Sequence, residues 1–221
     1  MMPDLYDLLL HLPGVVPAEE CDIIIRSFDE LQQRGGAYRE SSMDASSGRR
    51  VESTFNAVSL PPGSMAFEAA HRRTWTALKA WLDYLEAQGR YNTKLLRRSL
   101  RYSHDYRVLR YAMGAQIHPH TDWDEFTLAS CTLALNDDYT GGEFGFFNDD
   151  RRIRLNRGDA LIWPADCFWV HRVTPVKSGI RYGVNSFITS MPEVMKSKVA
   201  DELNARPKQE WDSVYRHHFV E

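Results

Sequence analysis

The chain is poor in cysteine, has no long apolar run and carries no excess of one charge, and each shortage removes a class of protein. Three cysteines in 221 residues, Cys21, Cys131 and Cys167, are an odd number and form no metal-type pair. A disulfide framework is therefore not expected, and a reducing compartment, with the cytoplasm as the simplest, is. No apolar stretch approaches the length of a membrane span, so no membrane association is expected. The first residues have no basic segment, carry Asp4 and Asp7, and are interrupted by His11 and Pro13, which does not fit a signal peptide. A formal net charge of -3 leaves no basic footprint for nucleic acid, and the pairs Arg97-Arg98 and Arg151-Arg152 read as solvated surface. Repeats and low-complexity tracts are missing as well.

What is present is an ordinary globular composition, 43% hydrophobic and 26% charged, enough for one substantial core. We expect a single domain over 1–221, with helical support in 1–100, a β-rich core in 101–190 and a helical tail in 191–221. "PAEECDIIIRSFDELQQRGG" begins with Pro17, has acidic residues in its first turn, spaces Ile24, Phe28 and Leu31 on one face and stops at Gly35-Gly36. It predicts an amphipathic helix. A second helix follows Ser64, a good cap, with Leu78, Trp81, Leu82 and Leu85 on one face before Gly89. Residues 35–50 between them are rich in Gly, Ser and charge and predict a mobile loop, before a strand-like stretch from Val51 to Leu60.

From Tyr106 onward short β-prone runs ("YRVLRYA", "FTLASCTLALN", "GEFGFF", "RIRLN", "ALIWP", "FWVHRVTPV", "RYGVNSFI") alternate with turn signals such as "DDYTGG", "NRGD" and "KSG". Helices first and strands afterwards give an α+β class, with a sandwich, barrel or jelly roll as the β architecture. Adjacent His217 and His218 would face opposite ways on a strand and share no metal.

Chemistry concentrates in "IHPHTDWDEF". On a strand, residues two apart point to one side, so His120 and Asp122 can converge on one ion. A mononuclear Fe(II) oxygenase site needs two imidazoles and a carboxylate on one face of an octahedron, leaving the other positions open. His171 is the credible third ligand, from a strand distant in sequence. Ten residues further, Arg181 opens another strand, and an antiparallel return through "KSG" would bring it back toward His171. A guanidinium there suits a dicarboxylate, which it grips in a bidentate fork.

In this order and setting the sequence resembles the Fe(II)/2-oxoglutarate dioxygenases of the prolyl 4-hydroxylase type. The resemblance runs from "VVPAEECDIIIRSF" to "RYGVNSF" and is carried by "YAMGAQIHPHTD", "LALNDDYTGGEFGFF", "RLNRGDALIWP" and "HRVTPVKSGIRY". It implies a double-stranded β-helix (jelly roll) with supporting N-terminal helices. It also implies that His120, Asp122 and His171 bind Fe(II), and that Arg181 takes the distal carboxylate of 2-oxoglutarate with help from Tyr111, nine residues before the first ligand. The implied catalytic set is His120, Asp122, His171 and Arg181, with O2 as co-reactant and ascorbate as an accessory reductant. The implied reaction is hydroxylation of an unactivated C–H bond with release of succinate and CO2. His118 is left over, either supporting the ligands from behind, facing the substrate, or simply packed.

Three positions depart from the prolyl 4-hydroxylase pattern: Ile117 where an aromatic is usual, Arg181 where lysine is frequent, and Phe187 where tryptophan is common. They touch the substrate assignment more than the cosubstrate site. The expected partner is a peptide or protein containing proline, with a free amino acid or other small molecule as the alternative; a homodimer is compatible with the tail. Repair of alkylated nucleic acid does not fit the charge, and Asp122 argues against a halogenase. A non-catalytic jelly-roll module that binds metal is the competing reading from another class.

Overall fold

A computed structural model of the chain describes residues 4–123, 126–190 and 217–218. The first segment holds a 3-10 turn (Leu5–Leu8), strand β1 (Leu10–Leu12), helix α1 (Ala18–Gln33), strands β2 (Ser41–Met43), β3 (Arg50–Glu52) and β4 (Asn56–Ser59), and helices α2 (Met65–Ala87) and α3 (Thr93–Ser99). Helix α1 starts after Pro17, with Glu19 and Glu20 in its first turn, where the unpaired N–H groups favour negative charge. It buries Cys21, Ile24 and Phe28 along one stripe. Ser64 caps α2, its hydroxyl accepting the Phe67 N–H at 3.2 Å. The face predicted from Leu78, Trp81, Leu82 and Leu85 is buried in full. Glu20 joins the two helices, accepting from Arg73 at 2.7 and 2.8 Å and from Arg72 at 3.0 Å.

The strands that follow are β5 (Tyr102–Tyr111), β6 (Ile117–His120), β7 (Thr127–Ala134), β8 (Thr140–Gly141), β9 (Phe144–Phe146), β10 (Arg151–Ile153), β11 (Ala160–Pro164), β12 (His171–Val173), β13 (Val176–Ser178) and β14 (Arg181–Thr189), with β15 (His217–His218) on the outer edge of β5. They build a major antiparallel sheet in the order β1-β11-β7-β14-β5-β15, with β4 also on β5, and a minor sheet β10-β9-β12-β6. Two such sheets face to face are the double-stranded β-helix, and with the helices the class is α+β.

Strand alternation divides the core in two. Ala129, Cys131 and Leu133 of β7 and Val184 and Ile188 of β14 point outward into one cluster with α1 and α2. Residues of opposite parity, among them Leu109, Tyr111, Leu161 and Trp163, face the minor sheet and join Phe144, Phe146, Trp169 and Val173 in a second cluster. Trp163 of β11 and Trp169, in the loop before β12, fill the space between the sheets. All three cysteines are free. Among the described residues no helix is long and apolar enough to cross a membrane.

Several expectations are corrected. Residues 35–50 are not a plain loop: Ser41–Met43 pairs with Arg50–Glu52 as a hairpin, and only the turn between them is irregular. The stretch from Val51 to Leu60 is broken into β3 and β4. The "KSG" turn does not return Arg181 beside β12. It carries the chain across to the major sheet, where Arg181 pairs with Tyr111 of β5. The helical tail in 191–221 lies outside the described residues, apart from the strand His217–His218.

Candidate active site

His120, the last residue of β6, pairs directly with His171, the first of β12. Asp122 lies two residues beyond the end of β6, so strand parity alone does not place it. It reaches the site nonetheless: one carboxylate oxygen is 3.4 Å from His120 Nε2 and the other 3.3 Å from His171 Nε2. The ligand atoms of all three lie within 4.8 Å of one another. Among the described residues no other group of three metal-ligating side chains converges in this way.

Each imidazole is oriented by backbone. His120 Nδ1 donates to the His118 carbonyl at 2.9 Å, and His171 Nδ1 to the Trp169 carbonyl at 3.0 Å. A carbonyl only accepts, so both rings carry the proton on Nδ1 and present the Nε2 lone pair to the space beside Asp122. His118 is thus a backbone contributor, and its ring does not join the cluster.

The electrostatics suit a cation. Burial opposes the charge on Asp122, but His171 and His120 beside it hold its carboxyl well below the usual carboxylate range. Burial pushes the His171 imidazole down to about 4 against the pull of Asp122. Burial lowers His120 too, but there the Asp122 hydrogen bond and charge prevail and its pKa is raised. Near neutral pH the cluster therefore offers a carboxylate and an unprotonated imidazole. Two imidazole nitrogens and one carboxylate oxygen are the donor set that suits Fe(II) while leaving open positions, so the residues present fit that metal.

Arg181 is the second notable group. It is 3% exposed, its guanidinium lies 4.9 Å from the Tyr111 ring and 5.1 Å from the Phe144 ring, and it meets no carboxylate among the described residues. Gly142 makes room for it, since a Cβ there would sit 2.9 Å from the Arg181 Cδ. Gly142 also holds φ at +68°, which suits glycine. Burial raises the Tyr111 phenol above its ordinary range, with the Arg181 charge pulling the other way. A line of ring contacts links this cation to the cluster: Phe144 is 5.7 Å from Trp163, and Trp163 is 5.0 Å from His171.

A cavity of about 610 Å³ opens over His120 and Asp122. Its walls include the hairpin β2–β3, Arg107 of β5, Phe187 of β14 and Trp123, which is 60% exposed. Sequence reasoning missed Arg107 and Glu40, which form an ion pair at 3.0 Å across this cavity wall. Alternation along β5 puts Arg107 on the same face as Tyr111, and that was the available signal. Asp124 and Glu125, next in sequence after Trp123, lie outside the described residues.

The chain resembles in fold a prolyl-4-hydroxylase from Pseudomonas putida, at 14% identity and a TM-score of 0.61, covering 84% of this chain and 94% of that one. A prolyl hydroxylase from Trichoplax adhaerens, solved with a hypoxia inducible factor peptide fragment, matches at 14% identity and 0.61, over 83% and 84% of the two chains. The alpha-ketoglutarate-dependent epimerase SnoN of nogalamycin biosynthesis matches at 18% and 0.59, over 84% and 80%. No curated protein matches the sequence. The sequence profile of the 2OG-Fe(II) oxygenase superfamily matches residues 106–189, the stretch that carries His120, Asp122, His171 and Arg181. Over those residues the sequence is similar to the 2OG-Fe(II) oxygenase superfamily.

Proposed function

We propose that the chain is an Fe(II)- and 2-oxoglutarate-dependent dioxygenase that hydroxylates an unactivated C–H bond, with a prolyl residue of a peptide or protein as substrate. The observation that carries the cosubstrate assignment is Arg181. A buried guanidinium without a carboxylate costs several kcal/mol unless a ligand supplies one (roughly 3–5 kcal/mol when a buried pair is broken). A dicarboxylate reaching from the metal donors to Arg181 would supply it.

In this reading His120, Asp122 and His171 hold the metal. Bound Fe(II) supplies dioxygen activation coupled to oxidative decarboxylation of 2-oxoglutarate to succinate and CO2. The protein does the rest. The His118 and Trp169 carbonyls fix both imidazoles in the Nδ1–H tautomer, so neither ring must reorganise on binding. Arg181 grips the distal carboxylate in a bidentate fork, and the Tyr111 phenol, kept protonated by burial, donates to it. Phe144, Phe146 and Trp163 exclude water between cation and metal donors, which strengthens both contacts. The hairpin β2–β3 borders the substrate cavity, where a peptide would lie.

The Pseudomonas and Trichoplax hydroxylases favour the prolyl reading as structural neighbours. The Glu40, Ser41, Arg50 and Arg107 side chains in the cavity lining favour a free amino acid or other small molecule as the second reading, and SnoN supports the same fold on different chemistry. The test is incubation with Fe(II), 2-oxoglutarate and ascorbate, the last as an assay reductant, against proline-containing peptides and free amino acids. Gain of one oxygen atom on a peptidyl proline supports the first reading. Gain of oxygen only on free compounds replaces it with the second.

A further inference from the structure

Among the described residues the charged groups that line the cavity do not cancel. His120 and Asp122 belong to the metal donors, leaving Arg50, Arg107 and Glu40 among the lining residues. Glu40 accepts from Arg107 at 3.0 Å, so that pair is neutral. The other acids of the hairpin region are engaged elsewhere. Asp44 accepts from Ser46 N and Oγ at 2.8 and 2.5 Å, and Glu52 accepts from Arg39 at 3.4 Å. Arg50 therefore meets no carboxylate among the described residues. Among the described residues it donates to the Ser41 hydroxyl at 2.8 Å, across the hairpin. That bond ties one guanidinium nitrogen to the hairpin and leaves the remaining N–H groups of the fork for a ligand.

Resting on the function proposed above, we propose that the substrate carries a carboxylate close to the carbon that is oxidised, and that Arg50 binds it. Once iron, Asp122, 2-oxoglutarate and Arg181 are assembled, their charges sum to about zero, and with Arg107 and Glu40 bonded to each other Arg50 is left, among the described lining residues, as the cation that meets no carboxylate. A planar guanidinium facing a polar cavity selects a carboxylate over an isosteric amide, because only the carboxylate accepts two charge-assisted hydrogen bonds. Two sources offer that group: the free carboxylate of an amino acid, or an Asp or Glu side chain beside the target residue of a peptide. Both present the same chemistry to Arg50.

Ligand-observed NMR on the protein loaded with Zn(II) and 2-oxoglutarate, which does not turn over, tests this without relying on activity. The probes are matched pairs: N-acetyl amino acids against their amides, and capped peptides containing Glu-Pro against Gln-Pro. The carboxylate member should bind about ten- to a hundredfold more tightly, the range that one or two hydrogen bonds to a charged group supply. Arg50→Gln should erase the preference, Arg50→Lys should keep part of it, and Arg49→Gln, beside it but outside the cavity lining, should keep all of it. Preference in the acetyl series points to a free acid and preference in the peptide series to an acidic peptide, and either supports the proposal. Amides that bind as tightly as acids, or a preference that survives Arg50→Gln, overturn it. The affinity of the unaltered protein for 2-oxoglutarate, read in the same titration, reports separately on the metal and cosubstrate assignment.

Discussion

Replacing Arg181 with methionine should make the ligand-free protein more stable while removing its cosubstrate. The side chain is 3% exposed, packed between Tyr111 and Phe144, and unpaired with any described carboxylate. An apolar side chain of similar length in place of an uncompensated buried charge gains about 3–5 kcal/mol. Loss of the two ring contacts takes back about 0.5–2 kcal/mol each. The balance favours the variant by about 1–2 kcal/mol, or roughly 2–8 °C in Tm for a chain of this size. With 2-oxoglutarate and a metal present the order should reverse. The unaltered protein gains about 2.7 kcal/mol at a ligand concentration a hundred times Kd. Arg181→Met loses a bidentate pair and should bind 2-oxoglutarate at least about a hundredfold more weakly. Differential scanning fluorimetry with and without 2-oxoglutarate, beside calorimetric titration, reads both limbs. A ligand-free variant that melts lower, together with an undiminished 2-oxoglutarate shift, would refute the reasoning.

Further outcomes follow from the same structure. Zn(II) alone should raise the Tm of the unaltered protein and leave His120→Ala and Asp122→Ala where they were; an equal shift in all three would place the metal elsewhere. The Glu20 carboxyl is held below its ordinary value of 4.5 chiefly by the Arg73 hydrogen bond, against burial, with Arg72 adding to it. Its stabilising contribution is present above pH 4.5 and lost as pH falls through the lowered folded value, so Glu20→Gln should be the less stable above that pH and the gap should close below it. A constant gap across an acid titration followed by circular dichroism would contradict this. Burial pushes the Cys131 thiol up to about 12, and Cys21 is buried as well, whereas Cys167 is exposed. A thiol reagent at mild alkaline pH should modify one cysteine quickly in the native protein and three in denaturant.

The sequence announces some of these features more plainly than others. Helix α2 was legible because a capping serine and a four-residue apolar face act locally, and local signals survive without tertiary context. Helix α3 was not, being seven residues long and polar, with Asn92 as its cap. Strand β1 escaped because its three residues gain their pairing only from β11. At the site, His120 and His171 could be picked out by order, yet Asp122 is delivered by the chain after β6 rather than by strand parity. Arg181 was identified, but its route was misjudged, because which sheet a strand joins depends on pairing partners far away in sequence. Arg50 and Arg107 were hidden for a related reason: a charge reads as solvated surface until the fold shows which acids neutralise it.

The most direct measurement is Fe(II)-dependent conversion of 2-oxoglutarate to succinate in air by the unaltered chain and by His120→Ala, Asp122→Ala and Arg181→Met. The account predicts succinate from the unaltered protein, none above background from the two metal-site variants, and recovery of Arg181→Met only at far higher 2-oxoglutarate. Succinate formed equally by His120→Ala and Asp122→Ala, or no succinate and no 2-oxoglutarate binding by the unaltered protein, would contradict it.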